Sequence, residues 1–65
     1  MELSKPASIL YGKIAQLVQI YGTPDLPREI IQPLLNTFPK HFWEELFKNE
    51  LVGYEDNILY TNVEL

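Results

Sequence analysis

The sequence predicts a mainly α, α+β fold: a three-helix domain with a C-terminal two-stranded β-hairpin. Apolar residues recur at helical spacing up to about residue 50, and a short segment rich in β-branched and aromatic residues follows them. The chain has 65 residues and no cysteine, which suits one domain without a disulfide. We therefore expect residues 1–65 to form a single small domain of marginal stability, to which association can add.

The first helix is predicted over residues 6–21, where apolar side chains form one stripe and polar side chains lie opposite. Ser4 is suited to cap the start of this helix, and Pro6 fits its first turn. Gly22 can adopt the left-handed conformation that ends a helix, and Pro24 prevents the helix from resuming. The apolar stripe consists of Ala7, Leu10, Tyr11, Ile14, Leu17, Val18 and Tyr21.

The second helical segment, residues 26–37, contains two prolines. Pro27 fits a first turn that is capped by Asp25 or Thr23. Pro33 falls in the interior, where it removes a backbone hydrogen bond at a cost of roughly 3 kcal/mol. Helical spacing nevertheless continues across it, through Ile30, Ile31, Leu34, Leu35 and Phe38. The sequence leaves two arrangements open: one helix kinked at Pro33, or two short helices laid nearly end to end.

The third helix is predicted over residues 40–50, because Pro39 fits a first turn and moves Phe38 out of the helical conformation. Its apolar arc consists of Phe42, Trp43, Leu46 and Phe47. Its polar arc, on the other side of the helix, consists of His41, Glu44, Glu45 and Lys48. The apolar arc is expected to face the core, and the polar arc to face solvent or a partner.

The hairpin is predicted over residues 51–62, around the pair Asp56-Asn57, which tolerates the positive φ of a two-residue turn. That turn sets Tyr54 opposite Leu59 and Val52 opposite Thr61 on one face. Gly53 then lies opposite Tyr60 on the other face, where we expect the tyrosine ring to cover the glycine backbone. Two strands alone are marginal, so the hairpin must pack on the helices.

The charge balance bears on the class of partner. Nine acidic and five basic residues give a formal charge of −4, which repels a phosphate backbone or an anionic membrane surface. The N-terminal residues lack a basic region, and polar residues interrupt the apolar stretch that follows, so neither a signal peptide nor a membrane span fits. We expect a cytoplasmic protein that binds neither membrane nor generic nucleic acid.

The residue types needed for catalysis or metal binding are not grouped in the sequence. His41 and Glu45 are four apart on a helix, but zinc needs three or four ligands and there is no second histidine. Glu44 and Glu45 point apart on their helix, and Glu55 and Asp56 lie at an open turn, so neither pair has the enclosure that acid-base catalysis by two carboxyl groups needs. We expect no enzymatic activity, no metal and no cofactor.

The run from Phe42 to Tyr60, FWEELFKNELVGYEDNILY, resembles the recognition helix and wing of winged helix-turn-helix domains. The likeness covers about residues 26–62. It implies that the third helix enters the DNA major groove while the wing tip touches the phosphate backbone. Here, however, the helix would present Glu44 and Glu45, and the tip would present Glu55 and Asp56, where phosphates lie. A winged helix with these residues is expected to bind protein rather than DNA.

The function that the sequence favours is a small acidic protein-protein interaction module: a subunit, adaptor or inhibitor of a larger protein. Eight aromatic residues exceed what so small a core can bury, and surplus tyrosine is typical of interfaces. We expect Tyr11, Tyr21 and Tyr60 to be the exposed ones. The candidate partner-binding residues are His41, Glu44, Glu45, Lys48, Glu55, Asp56 and Tyr60. The partner is another protein, a homo-oligomer is left open, and the alternative is a winged-helix-like DNA-binding transcriptional regulator.

Overall fold

The computed structural model describes residues 3–65 and shows the α+β fold that the sequence predicts. Three α-helices pack with a three-stranded antiparallel sheet whose strand order is β1-β3-β2. In chain order the elements are α1 (Lys5–Tyr21), β1 (Asp25–Pro27), α2 (Arg28–Thr37), α3 (Lys40–Lys48), β2 (Val52–Glu55) and β3 (Ile58–Thr61). The predicted C-terminal hairpin is therefore present, and a third strand from the middle of the chain extends it.

The predicted ends of α1 are confirmed to within one residue. The Ser4 hydroxyl accepts a hydrogen bond from the Ala7 N–H at 3.3 Å and caps the start of the helix. Gly22 has a φ of 71° and donates its N–H to the Val18 carbonyl at 2.8 Å, which ends the helix. The fully buried residues of the predicted stripe are Ala7, Leu10, Ile14 and Val18.

The segment before α2 differs from the prediction. Asp25–Pro27 is a strand that pairs with β3, so the helix begins at Arg28, and neither Asp25 nor Thr23 caps it with a side chain. Leu26 is fully buried opposite Leu59, and that burial stabilises the strand. Pro27 is tolerated because β1 lies at the edge of the sheet.

α2 is one helix that continues through Pro33, so the alternative of two short helices is wrong. The Thr37 hydroxyl donates to the Pro33 carbonyl at 2.8 Å, within the last turn. The helix ends where predicted, because Phe38 has an extended backbone (φ −107°, ψ 126°) ahead of Pro39.

α3 ends at Lys48, two residues before the predicted end, in a Schellman motif. The Leu51 N–H donates to the Leu46 carbonyl and the Glu50 N–H to the Phe47 carbonyl, both at 3.0 Å. Glu50 occupies the left-handed position with a φ of 60°, where glycine is more usual. The three residues 49–51 thereby connect the end of the helix to β2.

The hairpin has the predicted turn and register. Asp56 and Asn57 both have positive φ, 54° and 64°, and Gly53 pairs with Tyr60. The expectation that the Tyr60 ring covers Gly53 is wrong, since no atom lies within 4 Å of the position that a Cβ at Gly53 would take. The ring makes no contact at that position, and Tyr60 is 41% exposed.

Every helix and strand contributes to one core, and all of the buried residues among residues 3–65 are apolar. The hairpin packs on the helices as its marginal stability requires, through Val52 and Leu59. The remaining core residues are Ala7, Leu10, Ile14, Val18, Leu26, Ile31, Trp43 and Leu46.

Candidate partner-binding surface

The polar arc of α3 is mostly exposed, as predicted. His41, Glu44 and Lys48 are exposed, whereas Glu45 is half-buried. Three of the four polar-arc residues therefore remain accessible to a partner, and the fourth is engaged within the chain.

Glu45 holds the start of α1 against α3. Its carboxylate accepts the Ser4 N–H at 2.6 Å and the Ser4 hydroxyl at 2.9 Å. The two residues are 41 positions apart, so this contact joins distant parts of the chain. Helical spacing placed Glu45 on the polar arc, but it did not show that Ser4 lies beside it. Glu45, which was predicted to contact a partner, thus has a hydrogen-bonding role within the chain.

Substitution of Glu45 by alanine is expected to destabilise the protein by about 1 kcal/mol, because both Ser4 donors lose a charged acceptor at a partly exposed site. Urea unfolding followed by far-UV circular dichroism measures this change. The matched control is Glu44→Ala on the same helix, which should change the free energy of unfolding by less than about 0.5 kcal/mol. Equal effects of the two substitutions would contradict the structural role given to Glu45.

The hairpin places its predicted site residues at two different positions. Glu55 and Asp56 are exposed at the turn, and Tyr60 is exposed on the face of the sheet opposite to Leu59. Tyr54 was not predicted as a site residue, yet it is 44% exposed and its hydroxyl donates to the Asn57 Oδ1 at 3.3 Å. The turn carboxylates are thus flanked by a tyrosine on each face of the hairpin.

The exposed aromatic residues differ in part from those expected. Tyr21 and Tyr60 are exposed, at 54% and 41%. Tyr11 is half-buried instead, and its hydroxyl donates to the Asn62 Oδ1 at 2.8 Å. Phe47 was assigned to the core but is 38% exposed. α3 is too broadly apolar for the core to cover its whole apolar arc.

A pocket of about 420 Å³ lies between α2, α3 and the hairpin. Its floor consists of the buried residues Ile31, Trp43 and Leu59, and its sides include the half-buried Leu35 and Phe38. The pocket is therefore an opening in the surface directly above the core.

Exposed side chains complete the wall of this pocket: Arg28, Lys40, Phe47 and Tyr54. Trp43 is 4% exposed, and its indole N–H has no hydrogen bond partner in the described part of the chain. An unsatisfied buried N–H costs about 1–3 kcal/mol. The pocket thus has an apolar interior, two cations and one unpaired donor among its lining residues.

A second, shallower depression lies along the other face of β2. Phe47, Gly53 and Tyr60 line it, and Glu50 is the charged residue among its lining residues. Phe47 therefore borders both concave surfaces. We call Phe47, Tyr54 and Tyr60 the aromatic strip: Tyr54 lies on one face of the hairpin, Tyr60 lies on the other, and Phe47 borders the concave surface on each. Only Tyr60 was predicted as a site residue, because the sequence does not show that β2 leaves Phe47 and Tyr54 uncovered.

Comparison with known protein families, with curated proteins and with solved structures finds no match for this chain. Residue roles therefore rest on the geometry of this chain alone. Within residues 3–65, no group of three or more histidine, aspartate or glutamate residues is placed to hold a metal ion. In the same range, no helix has the length and apolar character needed to cross a membrane.

Proposed function

We propose that this protein is a small acidic protein-binding module whose contact surface is the aromatic strip. The observation that supports the proposal is the exposure of Phe47, Tyr54 and Tyr60, at 38%, 44% and 41%, beside two concave surfaces. Exposed aromatic residues next to pockets are typical of the centres of protein interfaces, where a few side chains supply most of the binding energy. Burial of the strip by a partner would also stabilise a domain of this size.

The apolar residues exposed on α1 are a weaker candidate. Ile20 and Tyr21 are more exposed, at 72% and 54%, but neither lines the pocket or the second depression. Isolated exposed apolar side chains are normal on protein surfaces. Tyr21 therefore provides a control position that is exposed and aromatic but lies outside both concave surfaces.

Exposed charged residues lie on α3 and at the hairpin turn, the elements that carry the aromatic strip. Glu44 and Lys48 are exposed on α3, and Glu55 and Asp56 are exposed at the hairpin turn. Rim charges influence the rate of association and the choice of partner more than the affinity. Arg28 and Lys40 line the pocket beside Phe47 and Tyr54, and Glu50 lines the depression beside Tyr60, so charges of both signs border the strip.

A second candidate function, DNA binding by a winged-helix-like regulator, is supported by the order of elements. α3 leads through a tight reversal into β2 and β3, in the manner of a recognition helix followed by a wing. The exposed residues do not favour it. Glu44 on α3 and Glu55 with Asp56 at the turn place carboxylates where DNA phosphates would lie. We therefore propose that α3 and the hairpin form a winged-helix-like arrangement that does not contact DNA.

Site-specific photo-crosslinking tests the protein-binding proposal. A photoreactive phenylalanine analogue at position 47 is expected to give a discrete crosslinked species in the native cell. The same analogue at position 21, an exposed aromatic site on α1, is expected to give none. Phe47→Ala with Tyr60→Ala should reduce recovery of the identified partner roughly tenfold or more, since a combined loss of about 1.4 kcal/mol of binding energy from the two aromatic residues is already a factor of ten.

Crosslinks that form equally at positions 47 and 21 would contradict the proposed surface. A gel shift with random duplex DNA at low salt tests the second candidate. The acidic module is expected to give no shift at micromolar protein. Binding that weakens steeply as salt is added would instead favour the DNA-binding function.

A further inference from the structure

The pocket between α2, α3 and the hairpin has the composition of a ligand site. We propose that it binds a small aromatic carboxylate, a function that goes beyond protein binding and does not depend on it. The occupant is defined by three properties of the pocket: its size and aromatic walls, the charge of its lining, and the unpaired donor of Trp43.

The size and walls of the pocket suit one planar apolar group. A volume of about 420 Å³ falls within the usual range for small-molecule sites, roughly 300–1,000 Å³. Four of the nine lining residues are aromatic: Phe38, Trp43, Phe47 and Tyr54. Aromatic side chains favour an aromatic ligand through stacked or edge-to-face contacts in addition to the area that they bury.

The charge of the lining selects an anion. Arg28 and Lys40 are two of the five basic residues of the chain, and no acidic residue within residues 3–65 lines the pocket. This is the reverse of the balance over the whole chain, where acidic residues outnumber basic ones nine to five. Arg28 uses its Nε to donate to Gln32 Oε1 at 3.3 Å, which leaves its terminal amino groups available to a carboxylate.

The indole N–H of Trp43 adds a donor that lacks an acceptor. Trp43 lines the pocket, and its N–H is buried without a hydrogen bond partner among residues 3–65. Buried polar groups are nearly always paired, so an unpaired donor on a lining residue favours a ligand that carries an acceptor. A ligand oxygen that reached this N–H on displacement of the surrounding side chains would satisfy it, and the two cations would balance the charge of the ligand.

Titration with 2-naphthoate, followed by ¹H–¹⁵N NMR, tests the proposal on the isolated protein. The chain has one tryptophan, so its indole N–H gives a single resonance. We expect that resonance to shift saturably with 2-naphthoate. The neutral analogue 2-naphthamide should bind roughly tenfold more weakly, because it lacks the charge that Arg28 and Lys40 recognise.

Two matched double variants assign the charge effect to the pocket. Arg28→Gln with Lys40→Gln should remove the preference for naphthoate over naphthamide. Lys5→Gln with Lys13→Gln lowers the net charge by the same amount at positions outside the pocket, and it should retain the preference. Leu35→Phe narrows the pocket and should weaken both ligands while the amide spectrum remains dispersed.

Several outcomes would overturn the proposal. These are the absence of a saturable shift at millimolar naphthoate, equal binding of the two ligands to the unmodified protein, and an equal loss of preference in both double variants. Displacement of naphthoate by a capped acidic peptide that binds more tightly would reassign the pocket to a protein partner. Because no partner protein is present, failure here leaves the crosslinking result at position 47 unaffected.

Discussion

Replacement of Trp43 by alanine is expected to unfold most of the protein at 25 °C. Trp43 is 4% exposed and belongs to the core formed by every helix and strand. Truncation of a buried tryptophan to alanine costs about 3–5 kcal/mol, and a single core in a domain of this size supplies about that much stability. Far-UV circular dichroism with urea and thermal unfolding measures the loss of helical signal.

Phe47→Ala on the same helix is the matched control for Trp43→Ala. Phe47 is 38% exposed, so its truncation should cost about 1 kcal/mol and leave the protein folded. Similar unfolding midpoints for the two variants would show that Trp43 is not a core residue. Trp43→Phe should retain the fold, because it keeps a buried ring and removes the unpaired N–H.

Substitution of Leu26 by alanine is expected to destabilise the protein by about 2–5 kcal/mol. Leu26 is the fully buried residue of β1, and it lies opposite Leu59 in the sheet. Its truncation leaves a cavity and removes the main apolar contact of a strand only three residues long. Urea unfolding measures the loss. Hydrogen exchange at the Thr61 N–H, which donates to the Pro24 carbonyl, reports local release of β1.

Leu65→Ala removes the same side-chain atoms at a position that is 68% exposed. It should change the free energy of unfolding by less than about 0.5 kcal/mol. A cost at Leu26 no larger than the cost at Leu65 would contradict the burial of β1. If the Leu26→Ala variant is destabilised but hydrogen exchange at the Thr61 N–H is unchanged, Leu26 stabilises the core without holding β1 against β3.

The local structure could be predicted from sequence where one residue type controls the backbone. Ser4 and Gly22 mark the ends of α1, and the pair Asp56-Asn57 fixes the turn and the register of the hairpin. In each case the preference is local: a hydroxyl that accepts an N–H, or a residue that tolerates positive φ. Such preferences act before any tertiary contact forms.

β1 could not be predicted from sequence because its stability comes from distant residues. The segment around Leu26 is too short for an alternating pattern, and Pro27 resembles the start of a helix. Pairing with β3, more than 30 residues later in the chain, decides its conformation. The continuity of α2 through Pro33 likewise depends on tertiary packing, which outweighs a lost hydrogen bond.

The candidate surface was predicted only in part, for the same reason. Helical spacing identified the polar arc of α3, but Glu45 is engaged by Ser4 from the other end of the chain. Phe47 belongs to an apolar arc that is broader than the surface available to bury it. The pocket joins Arg28 to Lys40 and Tyr54, which lie in three different elements. Sequence separation gives no sign of that proximity.

The pairing of β1 with β3 also determines how the chain can fold. Residues 25–27 pair with residues 58–60, and the Arg28 N–H donates to the Asn57 carbonyl at 2.9 Å beside that ladder. α2, α3 and β2 thus lie within one loop whose ends the sheet joins. Closing such a loop lowers the conformational entropy of the chain before the stabilising contacts of the sheet have formed. Folding should therefore be slower than for a three-helix bundle of equal length. During synthesis, the sheet can form only after residues 58–61 have left the ribosome, however early α1 becomes helical.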